Sequence, residues 1–454
     1  MFIGREDEIR ILRQQFEGER KSVILLYGRR RIGKTALVNK ALKNLPDDIV
    51  IIYHEFHQVT LEQNISELSH TVAIALNIPS LPAFNNIAGL FSFISALNKK
   101  IVVILDEYSD FKQSAPKGLI DSYMRSAIDN LPNNIKIVLM GSRLKIMEEL
   151  LNQDNPLFGR FTTIIKLEPF DYINASKFFP SLTHYDQISF YSIFGGSPYV
   201  LSLLDEKKTL RQNIEETIIM ISGSIRAYIE AVINQEAGRV PHGIAILSLI
   251  GNGKRKYQEI EDVIAREAKG VLAIELKKLM DLEIVEKIQP INKQGKVKCF
   301  YEISDPLLRF YFAYIYKNPS LQMSNPSIFY RNFIEHSIGE FISKRFETVC
   351  REFFMHQIKT GKRPDIINIG TYWYDDKEQK LNGEFDVALK TNDGYEIYDA
   401  KFYNHPFEEK KAEKEIMQIK SLTLNITKWG IIASSGFEKK NSNYVQLTLD
   451  DLYK

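Results

Sequence analysis

Three small groups of residues in this chain have the types and spacing that could do chemistry. The first is Gly28-Arg29-Arg30-Arg31-Ile32-Gly33-Lys34-Thr35, with Ala36 after it. An apolar run, Ser22 to Tyr27, leads into it, and a helical pattern begins at Ala36. A glycine-bounded turn between a strand and a helix lets backbone N–H groups curl around phosphate oxygens, and the partial positive end of the helix points at them. Lys34 adds a point charge, and Thr35 adds a hydroxyl suited to Mg²⁺. The chemistry implied is the binding of ATP or GTP, with Gly28 through Ala36 as the cradle.

The second group is Asp106-Glu107, at the end of the wholly apolar run Ile101 to Leu105. Such a run reads as a buried parallel strand. A carboxylate at its end can hold a Mg²⁺ shell, the role expected of Asp106. Glu107 is placed to polarise an attacking water, which favours hydrolysis over binding alone.

The third group lies near the carboxyl terminus. Glu384-Phe385-Asp386-Val387-Ala388-Leu389 alternates, a Thr391-Asn392-Asp393-Gly394 turn follows, and Tyr395 to Phe402 reads as the returning strand. Residues two apart on a strand share a face, so Asp399 and Lys401 act at one point that Asp386 reaches from next door. Two carboxylates and an ammonium suit metal-assisted hydrolysis. Asp386 and Asp399 would bind Mg²⁺, Lys401 would orient water, and Glu347 would complete the shell from a preceding helix, Ile334 through Phe354.

The elements that must hold these groups follow from periodicity. Strands are expected at Ser22–Tyr27, Ile49–His54, Ile101–Leu105, Ile135–Met140 and Thr163–Leu167, with helical patterns at Ala36–Asn44, Leu61–Leu76, Gly89–Leu97 and Gly118–Leu131. This alternation predicts an α/β fold with a parallel sheet wrapped by helices, whose ligand sits beyond the carboxyl ends of the strands. Gly28, Asp106 and Ser142 would project there together. From Pro241 to Lys317 come three short helices, Ile244–Leu249, Gln258–Ile264 and Leu272–Leu282. A hairpin, Glu283–Gln289 with Lys298–Ile303 around Asn292-Lys293-Gln294-Gly295, completes a winged-helix outline. Asn-Pro turn signals between Asn318 and Ser327 mark the junction to a last domain.

Composition bounds the reading. The chain has 454 residues, 44% hydrophobic and 11% aromatic, enough for a large core and about three domains. No apolar run approaches the roughly 18 residues of a membrane span, and Met1-Phe2-Ile3-Gly4-Arg5-Glu6 lacks a signal-peptide pattern, so the cytoplasm is the expected location and no membrane partner is expected. Cys299 and Cys350 suit neither a disulfide framework nor a thiolate metal site. A net charge of +2 gives no bulk attraction to nucleic acid. Residues 251–298 hold 11 Lys/Arg against 8 Asp/Glu, and the chain from residue 336 onward holds 18 against 19. Both are weak footprints for a polyanion, which favours a structural role for the winged helix. His54 and His57 read as polar rim residues, and the aromatic run Phe310 to Tyr316 reads as packing between domains.

The opening Phe2-Ile3-Gly4-Arg5-Glu6, the phosphate loop, Leu105-Asp106-Glu107, Gly141-Ser142-Arg143, Pro156-Leu157-Phe158-Gly159-Arg160 and Gly195-Gly196-Ser197-Pro198 together resemble the archaeal-type ATPases of the AAA+/STAND group. The resemblance spans residues 1 to 235. It implies that Ser142 takes the sensor position near the γ-phosphate, that Pro198 and Phe2–Gly4 lie against the base, and that Arg160 is a trans-acting finger, with Arg143 as competitor. A finger in trans implies a homo-oligomer as one partner arrangement. Tyr301 through Phe310 resembles the wing exit of the same family. Glu347, Asp386, Asp399 and Lys401 resemble the PD-(D/E)XK nuclease core that often follows this ATPase module, with Phe385 where that pattern has Pro. The organisation expected is an ATPase domain with a helical lid over 1–235, a winged helix over 236–317 and a nuclease-like domain over 328–454. The activity expected is a Mg²⁺-dependent, ATP-driven switch, with DNA binding or cleavage by the last domain. The other reading is a nucleotide-gated regulator or scaffold whose nuclease-like domain cuts nothing.

Overall fold

The computed structural model describes residues 2–292, 299–318, 325–376, 381–421 and 425–454. Two compact units divide the chain, Met1–Pro169 and Phe170–Lys454.

In the first unit, β1 (Ser22–Gly28), β2 (Ile49–Glu55), β3 (Lys100–Asp106), β4 (Ile135–Gly141) and β5 (Thr163–Leu167) form a parallel sheet in the order β2-β3-β4-β1-β5. All five expected strands are present, each within a residue of its expected ends. β1 and β4 are buried over their whole length, as inner strands covered on both faces must be. Side chains alternate between the two covers. Ile24 and Leu26 pack with Leu12, Phe16, Leu37 and Val38 from the helices Glu6–Glu17 and Lys34–Leu42. Val23 and Leu25 pack with Leu68, Phe91 and Met124 from Leu61–Leu76, Ile87–Ala96 and Leu119–Asp129. The parallel register puts Gly28, Glu55, Asp106, Gly141 and Leu167 along one edge. His54 departs from the expected rim position. It is buried on β2, with Nδ1 3.0 Å from Thr71 Oγ1, and burial lowers its pKa to about 4, so it is a neutral core histidine. His57 is exposed.

The second unit begins with helices such as His184–Phe194 and Ser224–Gln235. Then come Gly243–Gly251, Tyr257–Ile264 and Leu272–Asp281, and the antiparallel pair β6 (Val285–Ile288) and β7 (Phe300–Ile303). The outer part of the expected hairpin turn, 293–298, lies outside the described residues, as does 319–324 of the expected junction. Phe310 and Tyr314 of the aromatic run are buried, and both rings meet Phe341, so this run is packing surface. A second sheet follows: β8 (Ile366–Asp376), β9 (Leu381–Thr391), β10 (Tyr395–Lys401), β11 (Ile426–Ala433) and β12 (Val445–Thr448), in the order β12-β11-β10-β9-β8. β8, β9 and β10 are antiparallel, and β10, β11 and β12 are parallel. The helix Glu409–Ser421 makes the β10 to β11 crossover. The helix Ile338–Lys359 begins and ends later than Ile334–Phe354, and it covers this sheet through Phe346 on Phe402 and Phe354 on Tyr398. Among the described residues no helix is long and apolar enough to cross a membrane.

Candidate functional site

At the carboxyl edge of the first sheet the chain leaves β1 through Arg29–Gly33 and enters the helix Lys34–Leu42. Gly33 turns in the left-handed region at φ 93°, which glycine adopts without a Cβ clash. Gly28 is required for a different reason. A Cβ there would stand 2.5 Å from the Leu167 carbonyl oxygen of β5 and 3.2 Å from Ile32 Cγ2. Ile32 is buried and pins the loop to the core, while Arg30, Arg31, Thr35 and Ala36 are exposed on its outer side.

Lys34 is buried, and its Nζ donates to the carbonyls of Gly28 at 2.9 Å and Arg29 at 3.1 Å. Burial lowers its pKa, against the opposing pull of Glu107 and Asp106. Thr35 Oγ1 donates to Asp106 Oδ2 at 3.1 Å across 71 residues of sequence. The other oxygen, Oδ1, accepts the Glu107 N–H at 2.8 Å. Glu107 sits at φ 48°, and its Oε2 accepts from Ser142 Oγ at 2.9 Å and from Ser142 N at 3.3 Å. Arg30 Nε reaches Ser142 Oγ at 3.5 Å. One connected cluster therefore holds Lys34, Thr35, Asp106, Glu107 and Ser142.

Sequence reasoning missed one member. Tyr53 of β2 donates its hydroxyl to Asp106 Oδ2, and burial together with that carboxylate raises the phenol pKa. Tyr53 lies opposite Ile104, two residues before Asp106 on the same face of β3. Only the strand order could reveal it, because β2 and β3 are not known to be neighbours from sequence.

The two arginines considered as fingers are both engaged within the first unit. Arg160 makes a two-pronged pair with Asp129 at 2.8 and 3.1 Å. Arg143 pairs with Asp110 at 2.9 Å and donates to Gln113. Phe2 is partly buried on the core of this unit. Pro198 lies in the second unit, at the first turn of the helix Pro198–Leu201.

The residues at the cluster fit a magnesium–nucleotide. Thr35 and Asp106 offer adjacent hard oxygen donors, the kind Mg²⁺ takes. Beside them stand a buried ammonium and a helix start whose first N–H groups have no intrahelical acceptor.

A second set of chemically capable residues lies on the sheet of the second unit. β9 and β10 pair with Tyr398 opposite Val387, and Asp386 Oδ2 accepts the Ala400 N–H at 3.2 Å. Asp386 thus faces the Asp399–Lys401 stretch as expected. Lys401 Nζ is 3.8 Å from Asp399 Oδ2 and 2.9 Å from Glu415 Oε1. Glu347 stands on the covering helix and pairs with Lys344 at 3.1 Å. Burial is the main cause that raises the pKa values of Glu347, Asp386 and Asp399, and repulsion by Asp386 on Glu347, by Asp399 on Asp386 and by Glu415 on Asp399 adds to it. Glu415 was not read from the sequence, since it sits on the crossover helix in a run of Lys and Glu that looks like a solvated face. Among the described residues no three His, Cys, Asp or Glu side chains are arranged to hold a metal ion.

Residues 2–204 match the model of a family described as an ATPase domain predominantly from Archaea. Over these residues, less than half of the chain, the sequence is similar to that family. Residues 311–416 match a family described as Archaea bacterial proteins of unknown function. An uncharacterized protein of Methanocaldococcus jannaschii is 26% identical over 397 residues, which are 87% of this chain and 85% of that one. An uncharacterized ATP-binding protein of the same organism is 43% identical over 44 residues, 10% of this chain and 75% of that protein. Among solved structures, a Walker-type ATPase of Pyrococcus abyssi shares the fold with a TM-score of 0.52 at 20% identity, covering 68% of this chain and 96% of that one.

Proposed function

We propose that this protein is a Mg²⁺-dependent ATPase that works as a nucleotide-driven switch. The observation that carries this is the Thr35–Asp106 contact, which joins the phosphate loop to the acidic strand end. In this reading the loop N–H groups and Lys34 bind the phosphates. Thr35 and Asp106 would hold Mg²⁺, which supplies neutralising charge. Glu107 takes a hydrogen bond from the attacking water and Ser142 fixes the Glu107 carboxylate. The match of residues 2–204 to an ATPase domain and the ATP-binding description of the short relative support it. Arg160 would act in trans only after releasing Asp129. Phosphate release by purified protein is the test: Lys34→Ala should cost about 10²-fold or more, and turnover at the parent rate sinks the proposal.

A second reading concerns the second unit, organised as a winged helix over 236–317 and a nuclease-like domain over 328–454. Three helices followed by the β6–β7 pair support the first assignment. The helix Ile338–Lys359, three antiparallel strands, a crossover helix and β11, with Asp386, Asp399 and Lys401 on adjoining strands, support the second. Incubated with DNA and Mg²⁺ or Mn²⁺, the protein should nick the strand, and Asp399→Ala should abolish nicking. Intact but bound DNA instead selects the nucleotide-gated regulator.

A further inference from the structure

A cavity of about 190 Å³ opens inside the second unit, beside the carboxylate cluster of Glu347 and Asp386. Four cations line it: Arg255, Arg309, Lys344 and Arg345. They come from the residues between two helices, from the residues just after β7 and from the long covering helix, so tertiary packing alone brings them together. Like charges converging in a partly dry space are costly unless anions answer them.

The carboxylates present answer them incompletely. Glu302 lines the cavity and pairs with both Arg255 and Arg309, the latter at 2.8 Å. Glu286 stands 3.6 Å from Arg309, and Lys344 is held by Glu347. Arg345 is 7% exposed, feels Glu352 only as a neighbouring charge, and its buried Nε has no hydrogen-bond partner; the buried Nε of Arg255 has none either. The remainder of the wall is apolar, with Ile250, Ile303 and Phe341. Two guanidinium N–H groups are thus turned from water with nothing to accept them, in a cavity with more positive than negative lining charge.

We propose that this cavity binds a phosphate group. Arginine forks match phosphate oxygens two at a time, and N–H donors left unsatisfied inside protein call for such an acceptor. The size sets the form of the ligand. The cavity far exceeds the 10–15 Å³ or so that one water needs and falls short of the roughly 300–1,000 Å³ of a drug-sized site. It holds one phosphate-sized head and not a whole nucleotide. The phosphate belongs to a small phosphomonoester or to the 5′ end of a nucleic acid strand, and Lys344 links the site to the carboxylates beside it. The inference stands on the second unit and does not need the ATPase reading.

The test is calorimetry on the full chain, with ADP and Mg²⁺ saturating so that the phosphate loop is occupied. Three probes are titrated: inorganic phosphate, a short 5′-phosphorylated oligonucleotide and the same strand without the phosphate. Inorganic phosphate should bind, and Arg345→Gln should weaken it about tenfold or more. Tighter binding of the phosphorylated strand than of its unphosphorylated twin assigns the site to strand ends. Equal strand binding with competition from phosphate assigns it to small phosphomonoesters. Circular dichroism checks the fold, and where Arg345→Gln is unfolded, the less buried Arg255→Gln decides. No heat from phosphate or either strand, or affinity unchanged in the folded variants, overturns the proposal.

Discussion

Glu107 adopts φ 48°, a region that costs a side chain with a Cβ about 1–2 kcal/mol. The turn aims its carboxylate at Ser142 at the end of β4 and leaves Asp106 facing Thr35. Strain kept at a charged residue beside a phosphate loop indicates that position matters more there than local comfort. Glu107→Gln keeps an oxygen for the Ser142 hydroxyl but weakens the interaction with water. Hydrolysis should fall about 10²-fold while nucleotide affinity stays within a few-fold, read by phosphate release and by fluorescent-nucleotide titration. Ser142→Ala, which frees the carboxylate without removing it, should cost about tenfold in the same assay. A larger loss from Ser142→Ala than from Glu107→Gln would reverse these roles. The motif residues were legible because their chemistry is local. Tyr53 and Glu415 were not, because each acquires its role from a strand or helix that sequence does not place beside it.

At the scale of elements, two glycines do different work and should fail differently. Gly33 needs its positive φ, so Gly33→Ala should cost about 1–2 kcal/mol and disturb the phosphate loop first. Gly196 has an ordinary φ, yet a Cβ there would stand 1.9 Å from the Phe170 carbonyl oxygen, which is backbone and cannot swing away. Gly196→Ala should therefore cost about 3 kcal/mol or more. Denaturant melts of both variants check the order, and equal stabilities would contradict it. The parallel strands of the first sheet were readable because inner strands must be apolar throughout. In the second sheet only β9 and β10 stood out. β8 and β11 mix polar residues such as Asn368, Thr371, Thr427 and Lys428 into their apolar runs, and a two-residue period broken by register shifts is weak evidence of a strand.

Across the second unit, Glu352 of the covering helix ties distant segments together. Tyr191 donates to its two oxygens at 3.0 and 3.1 Å, and the Tyr172 N–H approaches at 3.4 Å. Desolvation raises its pKa to about 7, despite the opposing pull of Arg345 and the Tyr191 bond. A carboxyl whose folded pKa exceeds its unfolded value binds more protons in the native state, so its contribution favours folding below about pH 4.5 and declines as the pH rises towards 7. Glu352→Gln should flatten that slope and stabilise the protein at pH 8 by about 2 kcal/mol relative to its effect at pH 5. Thermal melts across this range measure it. A parallel pH dependence in parent and variant would show that Glu352 is not the titrating group.

By itself the sequence determined the phosphate cradle, the acidic strand end and the paired strands carrying Asp386, Asp399 and Lys401, because each is written in neighbouring residues and in the period of one element. Tertiary structure alone decided that Thr35 meets Asp106, that Tyr53 and Glu415 join the clusters, that Lys344 pairs with Glu347 and Lys401 with Glu415, and that four cations surround one cavity. Those outcomes depend on which elements lie side by side. That order is set by the burial of whole faces, a sum over distant residues that no local pattern contains.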